Sequence, residues 1–196
     1  MKIIFATHNQ GKLKEMKELL FGFEVMGAEE AGIFEDVIED GRTFVENALK
    51  KARFVAQKTG ELAVADDSGI CIEALDGAPG IMTARWAGED ATDDDKISLT
   101  LEKMKNIAEN NRSAYFQSVV ALVSPDNREW IFEGRVDGKI ANKKRGQSRP
   151  YLPYDLIFIP NGYTETFAEM SDEKKNKLSH RSAAFKKLKE FLVDFK

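Results

Sequence analysis

Ala65-Asp66-Asp67-Ser68-Gly69 is the stretch whose reading decides the rest of this chain, because two adjacent carboxylates, a hydroxyl and a glycine stand where an apolar run stops. Residues 62–65 read as a short buried strand, which puts Asp66 and Asp67 at its end, where open α/β sheets place their ligands. Paired carboxylates beside a core repel one another unless a cation or a proton compensates them, and oxygen-only ligation suits a hard ion such as Mg²⁺. The same five residues are also good turn chemistry. The pentapeptide alone leaves both readings open, so the decision falls to its surroundings.

Upstream, residues 2–7 read as a strand and residues 10–20 as a helix with Leu13, Met16, Leu19 and Leu20 on its apolar stripe. Between them lies Thr7-His8-Asn9-Gln10-Gly11-Lys12, where free backbone N–H groups, a helix dipole and a lysine converge, a recurrent way to hold a phosphate. It is not a Walker A loop, since Leu13 follows Gly11-Lys12 and Ala6 stands where glycine is required. Plain capping by Asn9 or Thr7 is the simpler reading of the junction. Residues 23–26 can return as a second strand, and residues 29–39 are acidic and irregular. Glu39-Asp40-Gly41 then leads to Thr43, an N-cap with Glu46 placed for a capping box. The helix runs to residue 59 with Phe44, Ala48, Ala52, Val55 and Ala56 on one face. Glu46 and Lys50 have i,i+4 spacing, and Lys51 lies beside the stripe, able to reach into a cleft.

Downstream, a segment at 70–74 precedes the loop Asp76-Gly77-Ala78-Pro79-Gly80. The acidic run from Glu89 to Asp95 reads as a solvated helix start capped by Thr92, on a helix carrying Ile97, Leu101, Met104 and Ala108. Residues 114–123 and 130–136 form a hairpin across Ser124-Pro125-Asp126-Asn127. Residues 138–153 are basic and loop-like, with Lys143, Lys144, Arg145 and Arg149, and residues 156–159 are a further strand. The last helix turns Ala184, Leu188, Phe191, Leu192 and Phe195 inward. His180 and Arg181 at its N-terminus are unfavourable against the dipole, so a polyphosphate or a carboxylate is needed there.

Strands alternating with helices give an α/β class, and 196 residues suffice for one well-buried domain with room for two lobes around a cleft. A net charge of −4 carries no basic footprint for nucleic acid. The single cysteine, Cys71, follows Ile70 and is expected to pack as a small hydrophobe, so a reducing compartment is natural. The first six residues hold too short an apolar run for a signal peptide and no later segment approaches a membrane span, so a cytoplasmic protein without membrane partners is expected.

Carboxylates at Glu39 and Asp67, with cations at Lys12, Lys51, Lys175, His180 and Arg181, suit a nucleoside triphosphate attacked by water. At this point Thr7 to Lys12 with Glu15, Thr43-Phe44-Val45-Glu46-Asn47-Ala48, Ala65 to Gly69, Gly77-Ala78-Pro79-Gly80, Ala84-Arg85 with Gly88-Glu89-Asp90-Ala91-Thr92, and Ser179-His180-Arg181 together resemble the inosine triphosphate pyrophosphatase family along essentially the whole chain. The resemblance implies a mixed, elongated central sheet with flanking helices, two lobes around a substrate cleft, a homodimer, and Mg²⁺-dependent hydrolysis of inosine, deoxyinosine and xanthosine triphosphates to the monophosphate and pyrophosphate. Carried over by motif, Thr7, His8, Asn9, Gln10, Gly11 and Lys12 hold the triphosphate. Glu39 and Asp67 serve the metal, and Asp67 also orients or deprotonates water. Lys51, Ser68, Lys175, His180 and Arg181 complete the contacts, with Leu152, Pro153, Tyr154 and Asp155 at the base.

One departure stands out. Where the family pattern reads Gly-Phe-Gly-Tyr-Asp-Pro, this chain has Tyr151-Leu152-Pro153-Tyr154-Asp155-Leu156, so two glycines and the stacking phenylalanine are gone. Tyr151 can offer an aromatic face from one position away. The rival readings are a related house-cleaning pyrophosphatase with another base preference and a nucleotide-binding regulator without turnover. Asp67 argues against the regulator, because a pure binder has no need of a carboxylate that repels triphosphate.

Overall fold

The structure, a computed structural model, describes residues 2–195. Along the chain come β1 (Lys2–Phe5), α1 (Gln10–Leu19), β2 (Glu24–Gly27), α2 (Phe44–Thr59), β3 (Leu62–Ile72), α3 (Asp93–Lys103), β4 (Ser113–Val123), β5 (Glu129–Ile140), β6 (Phe158–Pro160), α4 (Asp172–Leu178) and α5 (His180–Asp194). The strands form a six-stranded sheet in the order β2-β1-β3-β4-β5-β6. β1 runs parallel to both β2 and β3, whereas β5 and β6 are antiparallel, so the sheet is mixed. Among the described residues no helix is long and apolar enough to cross a membrane.

The chain divides into two compact units. The first comprises the chain up to Asp67, Ser118–Gly134 and the chain from Arg181 onward. Its core joins Ile3 and Phe5 of β1, Leu13 and Met16 of α1, Leu62 and Val64 of β3, Val120 and Leu122 of β4, and Ala184, Phe185 and Leu188 of α5. The helical spacing of these residues is what docks α1 and α5. Phe5 meets Phe185 edge to face at 6.0 Å. The second unit comprises Ser68–Gln117 and Arg135–His180. Its core gathers Ile70, Ile72, Ile97, Met104, Phe116, Phe158 and Phe167. There the buried Arg112 donates to the carbonyls of Ile140, Met104 and Ala141, so its burial leaves no donor group of the guanidinium wasted. Cys71 is a buried free thiol.

The expected strand end at Asp66 is corrected: β3 continues as one strand of 11 residues through both aspartates, Ser68 and Gly69 to Ile72. Carboxylates are poor strand residues because burying them uncompensated is costly. Here each meets a partner from a distant helix, and the pairing continues. The loop expected from residue 138 is likewise corrected, since β5 extends to Ile140 and pairs Gly138 with Pro160. A Cβ at Gly138 would lie 2.3 Å from the Ile159 carbonyl oxygen, so its glycine marks a close approach of two strands, not a turn.

Smaller corrections have similar causes. The stretch expected as a strand at 156–159 opens as the 3-10 turn Pro153–Leu156, and β6 follows it. α3 stops at Lys103, which leaves Ala108 outside the helix and Met104 as its buried C-cap. Lys50 donates to Asp40 at 2.6 Å instead of pairing with Glu46. The Thr43 hydroxyl does accept from the Glu46 N–H at 3.1 Å, but the Glu46 carboxylate accepts from Arg42 at 2.7 Å, so the capping box is half formed. Complete ones are at Thr92 with Asp95 and at Thr166 with Glu169. α4 was not expected at all: Asp-Glu-Lys-Lys-Asn-Lys-Leu has no apolar stripe, and its only buried residue is Lys175.

Candidate active site

The junction after β1 is held first by its own side chains. The Thr7 hydroxyl accepts from the Asn9 N–H at 3.2 Å, and Asn9 caps α1 by accepting from the Lys12 N–H at 3.1 Å. Gln10 and Gly11 are exposed at the first turn. The His8 ring lies toward the acidic segment that follows β2, with Nδ1 3.4 Å from Glu29 and Nε2 3.6 Å from Asp36. The Lys12 side chain reaches β3, where Nζ donates to Asp66 Oδ1 at 3.0 Å. On the other oxygen, Arg181 Nε lies 3.4 Å from Asp66 Oδ2, while Arg181 Nη1 donates to Glu15 at 2.6 Å. The anion demanded at the start of α5 is therefore a pair of carboxylates. Burial works against the Asp66 charge, but Lys12, Arg181 and Lys51 outweigh it and hold this carboxyl well below the usual range. Lys12 titrates below an ordinary lysine, because burial dominates and the charges of Lys51 and Arg181 add to it against Asp66.

Asp67 points the other way along the strand's alternation and meets α2. Asn47 Nδ2 donates to Asp67 Oδ2 at 3.0 Å, and Asn47 Oδ1 accepts from the Gly41 N–H at 2.8 Å. One helical turn on, Lys51 Nζ donates to Glu39 Oε1 at 2.6 Å and to the Asp66 carbonyl at 2.8 Å. The i,i+4 spacing of Asn47 and Lys51 puts both on one face of α2, holding the Glu39-Asp40-Gly41 loop and β3 at once. Gly41 must be glycine for this, since a Cβ there would sit 2.6 Å from Asn47 Oδ1. Burial, with the Glu39 charge adding to it, pushes the Asp67 carboxyl up to about 6 against Lys51, Asn47 and Lys12. Lys51 itself stays above its ordinary value, because Asp67, Glu39 and Asp66 outweigh its burial.

Sequence reasoning placed Glu39, Lys51 and Asp67 but gave Asn47 no role. Its signal was an amide four residues before Lys51 on a helix face otherwise apolar. The residues fit a hard divalent ion in kind. Among the described residues no three His, Cys, Asp or Glu side chains form a cage, and the Glu39 and Asp67 pair offers oxygen donors only. Mg²⁺ takes one or two carboxylates together with substrate phosphates and waters, which such a pair suits.

The remaining expected residues lie in the second unit. Lys175 Nζ is 2.6 Å from Asp155 Oδ2 with both side chains buried, so Asp155, expected at the base, is first of all the counter-ion that allows a lysine inside. Arg149 Nη1 lies 3.7 Å from the same oxygen. The His180 ring stacks on Phe116, with centroids 4.7 Å apart and planes at 8°. Tyr154 is buried, its hydroxyl donating to the Thr83 carbonyl at 3.5 Å, and burial pushes its phenol above the ordinary range. Pro153 is buried at the start of its 3-10 turn, Leu152 is half-buried, and Ser68 is half-buried on β3.

A mixed α/β sheet whose buried strand carries two adjacent carboxylates on opposite faces, each met by lysine, arginine or amide from a helix, defines the class as α/β with a buried charged centre. The particular family follows from the sequence as a whole: the chain belongs to the Ham1 family, which it matches over residues 3–191. It is 46% identical over 190 residues to a dITP/XTP pyrophosphatase of Zymomonas mobilis, covering 95% of this chain and 90% of that one. It is 43% identical over 194 residues to a dITP/XTP pyrophosphatase of Desulforamulus reducens, covering 98% and 96%. The solved structure of the Staphylococcus aureus Ham1 protein superposes with a TM-score of 0.91 at 37% identity, covering all of both chains.

Proposed function

We propose that this chain hydrolyses non-standard purine nucleoside triphosphates, those of inosine, deoxyinosine and xanthosine, at the α–β anhydride, giving the monophosphate and pyrophosphate. The observation that carries this reading is Asp67, a buried carboxyl raised to about 6 and fixed by Asn47 beside Glu39 and Lys51. A carboxylate so tuned takes a proton from water near neutral pH far better than an ordinary aspartate. The near full-length relatives named as dITP/XTP pyrophosphatases support the substrate class.

In this reading Glu39 and Asp67 hold Mg²⁺, which when bound neutralises phosphate charge and lowers the pKa of water. Asp67 orients the attacking water and receives its proton. Asn47 keeps the accepting oxygen in place. Thr7 to Lys12 hold the triphosphate, and Lys51, Ser68, Lys175, His180 and Arg181 complete the contacts. Residues 152–155 meet the base. Donors facing the 6-oxo group are left unpaired by adenine, so discrimination against adenosine triphosphate follows. The enzyme is read as a cytoplasmic homodimer with neither nucleic acid nor membrane as partner.

Incubation with inosine triphosphate and Mg²⁺ tests this through release of pyrophosphate and inosine monophosphate. Orthophosphate with inosine diphosphate would contradict the bond assigned, and binding without turnover would favour the regulator. The altered 151–156 segment favours one second reading, the same hydrolysis with a different base preference. A kcat/KM for adenosine triphosphate within about tenfold of that for inosine triphosphate would select it.

A further inference from the structure

α4 has little hydrophobic reason to dock. Its sequence offers no apolar stripe, Lys175 is its one buried residue, and only Leu178 at its end adds a partly buried apolar contact. A helix of 7 residues is far too short to persist by itself, so charge must supply much of what seats it. Lys175 Nζ lies 2.6 Å from Asp155 Oδ2 and 5.9 Å from the centroid of the Phe167 ring.

The same carboxylate oxygen meets a second cation. Arg149 Nη1 is 3.7 Å from Asp155 Oδ2 and donates to the Phe167 carbonyl at 2.8 Å, while Nη2 donates to the Met170 carbonyl at 2.6 Å and Nε lies 3.0 Å from Asp172. One guanidinium thus holds the backbone of the ring beside Lys175, the backbone just before α4 and the first side chain of α4. A planar fork of five N–H donors can serve these directions at once, which an ammonium cannot. The charges of this cluster do not balance. Arg149 and Lys175 share one buried carboxylate, Asp155, whereas the Asp172 side chain is 81% exposed and screened by water and salt. A carboxylate divided between two cations holds each less firmly than it would hold one alone. The surplus positive charge is left for an acceptor from outside.

We propose that Arg149 is a positioning residue for Lys175: by sharing Asp155 it prevents the lysine from being fully neutralised by its own counter-ion and leaves the ammonium available to an oxygen acceptor of the substrate. This rests on the reading that Lys175 contacts the substrate. Arg149 acts through Asp155 and touches no reacting atom, so its effect falls on affinity, and the chemical step stays with Asp67.

The test measures KM and kcat for inosine triphosphate with Mg²⁺, and Tm, in wild type, Arg149→Met and Arg149→Lys. Arg149→Met removes the charge, whereas Arg149→Lys keeps it and gives up the fork that holds both carbonyls. Arg149→Met is expected to raise KM about 3- to 30-fold, the coupling usual within one ionic network, with kcat near wild type. Arg149→Lys should recover most of that loss even where its Tm falls. The inference is overturned if Arg149→Met leaves KM unchanged or if kcat falls while KM holds. It is equally overturned if Arg149→Lys raises KM as much as Arg149→Met, which would make the residue a brace for the two carbonyls. Should Arg149→Met be unfolded at the assay temperature, Arg149→Gln, which keeps donor groups without the charge, is measured in its place against the same outcomes. A wild type that releases no pyrophosphate from inosine triphosphate would overturn the proposed function, and this inference with it. Turnover indifferent to position 149 would overturn the inference alone.

Discussion

The two faces of β3 carry the same side chain one residue apart and give it opposite properties. On the face toward α1 and α5, Asp66 is gripped by Lys12 and Arg181 and is held far into its charged form. On the face toward α2, Asp67 has an amide as its hydrogen-bond donor and Glu39 as a charged neighbour, and it keeps its proton up to about 6. Strand alternation alone separates the two surroundings. Adjacent carboxylates thus divide the work: one is a structural counter-ion, the other a base. Both are buried, but at Asp66 the cations Lys12, Arg181 and Lys51 outweigh burial, whereas at Asp67 burial with the Glu39 charge outweighs Lys51 and Asn47.

The comparison breaks most visibly in catalysis. Asp67→Asn should keep the fold and lose roughly 10²- to 10⁴-fold in kcat, the usual worth of a positioned proton acceptor. Steady-state pyrophosphate release with Mg²⁺ measures it, and near-normal turnover would remove Asp67 from the chemistry.

Asp66→Asn is the complementary break. It leaves the half-buried Lys12 without its anion and the buried Arg181 with Glu15 alone, and removing one partner of a buried ionic set costs about 3–5 kcal/mol. Denaturant unfolding at neutral pH should show that loss. Because the folded pKa of Asp66 is lowered, its contribution is present above the unfolded value and fades only as pH falls toward the lowered folded one. The gap between wild type and variant should therefore close only in strong acid.

Much of this was legible in the sequence. The stripes of α1, α2 and α5 and the hairpin between β4 and β5 follow from periodicity and turn chemistry, because those signals are local. The continuity of β3 was not legible, because what compensates Asp66 lies 54 residues away at Lys12 and 115 away at Arg181. Gly138 read as a loop because nothing near it in sequence announces the Ile159 backbone. α4 lacked any stripe to read. Asn47 received no role because Asp67, its partner, lies 20 residues on.

Asn47 gives a sharper test of the α2 face. Asn47→Ala removes both a donor to the buried Asp67 and the acceptor of the half-buried Gly41 N–H, a loss of about 1–3 kcal/mol. Tm should fall by roughly 2–4 °C per kcal/mol for a chain of this size. An unchanged Tm would show that the Glu39-Asp40-Gly41 loop does not depend on α2.

The smallest effect is a gain. The folded pKa of Asp67 is raised, so its stabilising, protonated contribution is full below the unfolded value and lost as pH rises through about 6. Above that pH the wild type carries a buried charge it would fold better without. Asp67→Asn should then be more stable by about 1–3 kcal/mol at pH 8, with the advantage vanishing toward pH 4. Thermal melts across that range read the sign directly.

The division between the two faces is tested most directly by following the side-chain carboxyl carbons of both aspartates by ¹³C NMR in the metal-free protein as pH is lowered. The account predicts that Asp67 titrates with a midpoint near 6 while Asp66 stays ionised well below the ordinary carboxylate range. Both carboxyls titrating together at the value of an ordinary aspartate would contradict it.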